Sequence, residues 1–244
     1  MNRIFYYELK RLICNKIFVG LFIVNGVLAW YLLTRDIIAG IAYTAPFSAW
    51  SFGAYLGKVM PFCILAILFL LSFYYSKKQK SVETLTAQTP VSPGQFLAIR
   101  IAVLFVCFLL ICMLIIGLSI FFYIRFFDRY PFFDFLLPTV LILPPCFVFS
   151  TGIGLLAGRI HQNLLYFLML VVFVLGFSNI SSFFDFFGAG YFVSAPLSLA
   201  VDAFGEPAFH ISLPFYLARF LYFAGGIMLI MINVRLSEKK ARKA

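Results

Sequence analysis

Six apolar runs of about 20 residues, each long enough to cross the hydrocarbon core of a bilayer, leave little of this 244-residue chain for anything else. They cover approximately residues 17–33, 52–74, 96–123, 136–157, 164–183 and 214–234. Only 11% of the residues are charged, where a soluble domain carries roughly 25%. The sequence therefore predicts an all-α membrane protein. Residues 1–244 form a single transmembrane domain of six helices, with no room for a sizeable soluble one.

The basic residues give this layout a direction. Of the 19 Lys and Arg residues, only Arg35, Lys58, Arg125, Arg129 and Arg219 fall at or toward one side if both termini share the other. The remainder cluster at the ends and in the loops of the opposite side, which marks that side as cytoplasmic. The net charge of +10 thus reports orientation and contact with anionic membrane lipid, and no nucleic-acid partner is expected. Cys14, Cys63, Cys107, Cys112 and Cys146 lie in or beside apolar runs without Cys-x-x-Cys spacing, and read as small buried hydrophobes.

Residues 2–16 place Phe5, Leu9, Leu12 and Ile13 at helical spacing, with Glu8, Lys10, Arg11 and Asn15 sharing the other surface. That pattern predicts an amphipathic helix in the inner headgroup layer over residues 1–16. Pro138, Pro144 and Pro145 predict a kink or break in the fourth span. Residues 185–213 are apolar but interrupted by Gly188, Gly190, Pro196, Gly205 and Pro207. They read as one or two short helices dipping into the outer leaflet, packed on protein or lining a cavity.

One long polar interval stands between spans. Residues 75–100 read YSKKQKSVETLTAQTPVSPGQFLAIR, with Lys77, Lys78 and Lys80 against the single acid Glu83. A short helix is expected from about 82 to 88, ended by Thr89-Pro90-Val91-Ser92-Pro93-Gly94, because each proline pushes its predecessor into an extended conformation. A new span then opens near Gln95. Residues 76–95 so form a knuckle on the cytoplasmic side.

A basic cluster, a Glu-Thr-Leu helix and then Thr89-Pro90-Val91-Ser92 ahead of a span resembles the coupling segment of ABC-2-type permeases, the membrane subunits of a class of bacterial ABC exporters. Ser81 stands where that family usually has Gly, Glu83 is one position out of register, and Pro93 replaces the usual Arg. The resemblance implies that Val82, Glu83, Thr84, Leu85, Thr89, Pro90, Val91 and Ser92 receive force from a separate ABC ATPase subunit carrying ATP and Mg. It also implies an interfacial elbow helix, short outer helices before the last span, and a second permease chain, either a copy or a sister. The membrane would be the cell (inner or plasma) membrane, crossed several times. Drugs, antimicrobial peptides and lipid-like molecules are the substrate classes implied.

Absences agree with a chain that has no motor of its own. Gly57-Lys58 is followed by Val59 and lacks the upstream glycine of a Walker A loop, and neither His-Glu-x-x-His nor Gly-x-Ser-x-Gly occurs. The chain is expected to be non-catalytic and to hold no cofactor or metal itself. No acid falls near the centre of a span, which weighs against proton or sodium coupling and against intramembrane hydrolysis. An autonomous channel or secondary carrier, and a membrane-embedded lipid-modifying or assembly factor, are the alternatives. Lys58 and Arg219 enter spans near their outer ends and either snorkel to the headgroups or face the substrate path. Phe183, Phe184, Phe186 and Phe187 cluster at the outer mouth, as part of an aromatic belt or as a hydrophobic gate. Gly53 with Gly57, and Ser150 with Gly154 and Gly158, are spaced for close helix approach, within the chain or at a subunit interface.

Overall fold

A computed structural model of the chain describes residues 2–76, 92–130, 132–178, 185–201 and 207–241. These form helices α1 (Asn2–Ile13), α2 (Lys16–Leu32, continued by a π turn over Leu33–Ile37), α3 (Ala49–Tyr74) and α4 (Pro93–Phe127). They continue as α5 (Phe132–Ile160), α6 (Gln162–Phe177), the short α7 (Ala189–Ser194), a 3₁₀ turn at Pro196–Ser198, and α8 (Leu213–Ala241). Two isolated β-bridges, Ile41 with Thr44 and Val201 with Pro207, are the only extended pairing among the described residues. The protein is an all-helical, multi-pass membrane protein in its build. Five helices, α2 to α5 and α8, are long and apolar enough to cross a bilayer. Among the described residues of the run expected at 164–183, the helix is Gln162–Phe177; at 16 residues it is about 24 Å long, short of a hydrocarbon core of about 30 Å.

Local chemistry sets the boundaries. The Asn15 side chain accepts from the Ile17 amide at 3.1 Å and so separates α1 from α2. Ser48 caps α3 through the Ser51 amide at 3.2 Å. Ser92 caps α4 through the Gln95 amide at 3.3 Å, and Pro93 occupies the first helical position, where its missing N–H is no loss. The third span therefore opens two residues before the expected Gln95. Pro138, Pro144 and Pro145 do not break α5, which is continuous over 29 residues. Packing against α3 on one flank and α8 on the other holds it together.

α3 is the axis of the bundle. In its apolar window 72% of the residues are buried, against 22% in α2 and in α8. It touches α2, α4, α5, α6 and α7. The glycine faces are used inside the chain. A Cβ on Gly154 would strike Leu68 and Leu71 of α3, and one on Gly57 would lie 2.5 Å from the Ala189 amide nitrogen of α7. α5 and α8 approach as closely, because Gly226 meets the Phe149 backbone and Gly152 meets Leu229. Near the middle, Leu56, Met60, Cys63, Cys112 and Leu143 close around a void of only about 10 Å³.

α1, the end of α3, the starts of α4 and α6, and the ends of α5 and α8 meet at one end, the base. The π turn of α2, the start of α3, the end of α4, α7 and the first turns of α8 form the other end, the crown. α6 starts at the base, where Leu165 nears Gly154, and ends level with Pro61 of α3, which would touch a Cβ on Gly176. α7 takes the space above, against Gly53 and Gly57. In the described part of the interrupted segment at 185–213, a short helix packs along the crown half of α3 and a 3₁₀ turn follows it.

Candidate functional site

Val82, Glu83, Thr84, Leu85, Thr89, Pro90 and Val91 lie outside the described residues, whereas Ser92 is the N-cap of α4. Both roots of the 77–91 interval are therefore visible, and both are tied into the base. On the α3 side, the Tyr75 hydroxyl donates to the Leu155 carbonyl at 3.1 Å, and its ring fills the space left by Gly158 on α5. Tyr74 is buried beside it, with the Arg100 guanidinium 4.9 Å from its ring centroid and the Arg11 guanidinium at 5.8 Å. On the α4 side, Arg100 also lies 4.3 Å from the Phe96 ring, and Gly94 is covered by the side chain of Glu238 on α8. Arg159 at the end of α5 donates to the Asn233 carbonyl at 3.0 Å and bonds the Ser237 hydroxyl.

The result is a belt of cation–ring and side chain–backbone contacts that joins α1, α3, α4, α5 and α8 around the two roots. Cations over aromatic faces out of water are worth up to about 2 kcal/mol each, so the belt resists splaying. α1 contributes differently from the expected pattern. Glu8 is 8% exposed and paired with Arg11 at 2.7 Å, while Tyr6 and Tyr7 face outward, so the polar stripe points partly into the protein. Cys14 is exposed, unlike the other four cysteines, because it sits in the turn after α1.

The crown separates Lys58 from Arg219. Lys58 Nζ donates to Asp36 Oδ2 at 2.8 Å, and both side chains are about one-third exposed (34% and 39%). Arg219 is 2% exposed and does not reach the surface, so the snorkelling expectation fails for it. Its guanidinium donates to the carbonyls of Asp185 (2.7 Å) and Phe186 and lies 4.4 Å from the Phe215 ring. Its Nε has no partner among the described residues. Asp185 in turn organises α7: its carboxylate accepts from the amides of Gly188 at 2.8 Å and Tyr191 at 2.9 Å. Gly188, at φ +87°, makes the left-handed turn that permits this.

Phe187 is buried and Phe186 packs on Phe149 and Tyr222, so these two fill the junction of α5, α7 and α8. Phe183 and Phe184 lie outside the described residues. Around α7 the packing is aromatic throughout. Tyr191 stacks on Phe215 with centroids 3.9 Å apart, Trp50 meets Phe192 and Phe209, and Trp50 Nε1 donates to the Pro207 carbonyl at 3.3 Å. Tyr191 Oη accepts from the Ser212 amide at 2.7 Å.

Asp185 was missed by sequence reasoning as an organiser. Its signal was the spacing Asp185-x-x-Gly188, an acid three residues before a glycine at a helix start. Tyr74 and Arg100 carried no local signal, because their pairing crosses from one helix to another. Among the described residues no group of His, Cys, Asp and Glu could hold a metal ion. No protein-family model, curated protein or solved structure matches the chain.

Proposed function

We propose that this chain is the membrane subunit of an ABC-2-type exporter, with residues 76–95 as its cytoplasmic coupling segment and a separate ATPase as its motor. One observation carries the reading. The sole long polar interval, ending in Thr89-Pro90-Val91-Ser92, joins the axial helix α3 to α4, and both of its roots are locked into the base. A push on the interval reaches the helix with the most neighbours without first having to bend a loose joint. Counting α6 as a sixth crossing agrees with α1 and the end of α8 sharing one end of the bundle, since an even count returns the chain to its starting side.

In this reading the base faces the cytoplasm, as its Lys and Arg content favours, and the crown faces outward. The tightly packed centre supports a path between two such chains over one through a single chain. The second chain is a copy or a sister permease. The substrate is a drug, an antimicrobial peptide or a lipid-like molecule. ATP and Mg belong to the partner.

The test is co-purification. An ATPase subunit is expected to accompany the full chain from its native membrane, and deletion of residues 81–92 to abolish that association while membrane insertion persists. Transport of cargo by the purified chain alone, in nucleotide-free vesicles, would instead establish a channel or secondary carrier and overturn the proposal.

A further inference from the structure

α2 and α4 run side by side from base to crown, in contact along part of their length. They touch at Gly26, where a Cβ would lie 3.1 Å from Leu114 Cδ2, and leave a gap beside that contact. The gap is an open apolar groove lined by Phe22, Ile23, Gly26, Trp30, Leu114 and Leu118. Its rim is exposed, with Ile23 57% accessible, and α2 is among the least buried of the long helices. At membrane depth, water is absent and the neighbouring solvent is acyl chains. An open groove along a helix pair, walled by branched and aromatic side chains, offers an acyl chain an apolar seat.

The crown end of the groove carries charge. Trp30 packs on Phe121 and Phe122 of α4. One turn beyond Phe121, Arg125 is exposed, and Arg35 is exposed in the π turn that follows Trp30. Neither has an ion-pair partner among the described residues. Asp36, the nearest acid on α2, is engaged by Lys58. Arg129 lies over the Phe47 ring, and Asp128 is the acid next to it at the end of α4. An exposed guanidinium at the crown end of each helix that walls an apolar slot offers a phosphate partner beyond an acyl tail.

We propose that the α2–α4 groove binds an anionic phospholipid, with one acyl chain against Gly26 and the headgroup phosphate held by Arg35 and Arg125. The inference requires only that the chain be embedded in a membrane. It does not depend on export or on an ATPase partner.

The protein supplies its own reporter, because Trp30 and Trp50 are the only tryptophans, and Trp50 is buried in the crown. The Trp50→Phe chain is reconstituted into dioleoylphosphatidylcholine vesicles containing graded amounts of phosphatidylglycerol or phosphatidylcholine brominated at mid-chain, and Trp30 fluorescence is followed. If Trp50→Phe does not insert, the native chain is used, with Trp50 as a constant background. Brominated phosphatidylglycerol is expected to quench with a relative association at least about fivefold that of the phosphatidylcholine, the worth of a single cation near a charged lipid surface. Arg35→Gln with Arg125→Gln is expected to bring the ratio to about one, while Gly26→Leu lowers quenching by both lipids. Equal quenching by the two lipids in the parent overturns the proposal. So does quenching by the two lipids that stays unchanged in Gly26→Leu, since headgroups would then gather at the rim with no chain in the groove.

Discussion

Arg219 of α8 donates to the Asp185 carbonyl at 2.7 Å, although Asp185 lies 34 residues earlier and its carboxylate is occupied by the first amides of α7. The acid and the base do not form a direct ion pair. Instead, Arg219 holds the main chain of the turn and Asp185 holds the helix that follows it, so the crown is fastened to α8 at one point.

Arg219→Leu is expected to destabilise the protein by about 3 kcal/mol, because two part-buried carbonyls lose their donors at about 1–3 kcal/mol each. Arg219→Lys recovers little, since a single ammonium lacks the planar fork that reaches both carbonyls. Thermal unfolding in detergent checks both, and an unchanged midpoint in Arg219→Leu would show that the turn is held by other means.

Gly57→Ala tests whether α7 is seated on α3. The new Cβ would lie 2.5 Å from the Ala189 nitrogen, a backbone atom that cannot swing aside. Overpacking of this kind costs about 1–3 kcal/mol. Gly20→Ala, where nothing lies within 4 Å, is the neutral control. Increased labelling of a cysteine placed at Ser194 in Gly57→Ala, and not in Gly20→Ala, is the expected readout.

Lys58→Gln and Asp36→Asn are each expected to change stability by less than about 1 kcal/mol, since their pair is partly exposed and screened by solvent. Should Lys58→Gln abolish export while the thermal midpoint holds, Lys58 belongs to the substrate path.

Tyr75→Phe removes one hydrogen bond between the coupling root and α5, at a cost of about 1 kcal/mol. Gly158→Leu forces the Tyr75 ring out of its seat and is expected to cost more. On the proposed function, both variants retain ATPase binding but lose coupling between ATP turnover and export, read as turnover that no longer responds to substrate. Glu83→Lys with Pro90→Ala, which leaves the root contacts alone, is expected to do the reverse and weaken binding itself. Indistinguishable behaviour of the two pairs would remove the distinction between root and knuckle.

The apolar runs made most of the helices legible, because burial in lipid imposes length and composition without reference to neighbours. What escaped depended on partners distant in sequence. Pro93 looked like part of a turn and is a helix start, since Ser92 caps it. Pro138, Pro144 and Pro145 looked like a kink or a break, and of the two the break is absent, because packing on α3 and α8 carries the helix through. Arg219 looked like a residue reaching for headgroups or facing a substrate path, and it is buried. Its true partners are carbonyls, which have no sequence signature at all. The glycines spaced by four on α3 did announce a close approach, but what approaches is a six-residue helix that composition alone placed only loosely.

The axial position of α3 determines how the bundle can answer a load. With five helices in contact along its length, thrust delivered beneath Tyr74 is shared among them, and the body is stiff along that direction. Sliding α2 or α8 sideways disturbs far fewer seated side chains, because most of their surface already faces outward. Whatever motion this molecule performs should therefore be cheapest at its periphery, with the centre acting as a piston and the flanks as the parts that yield.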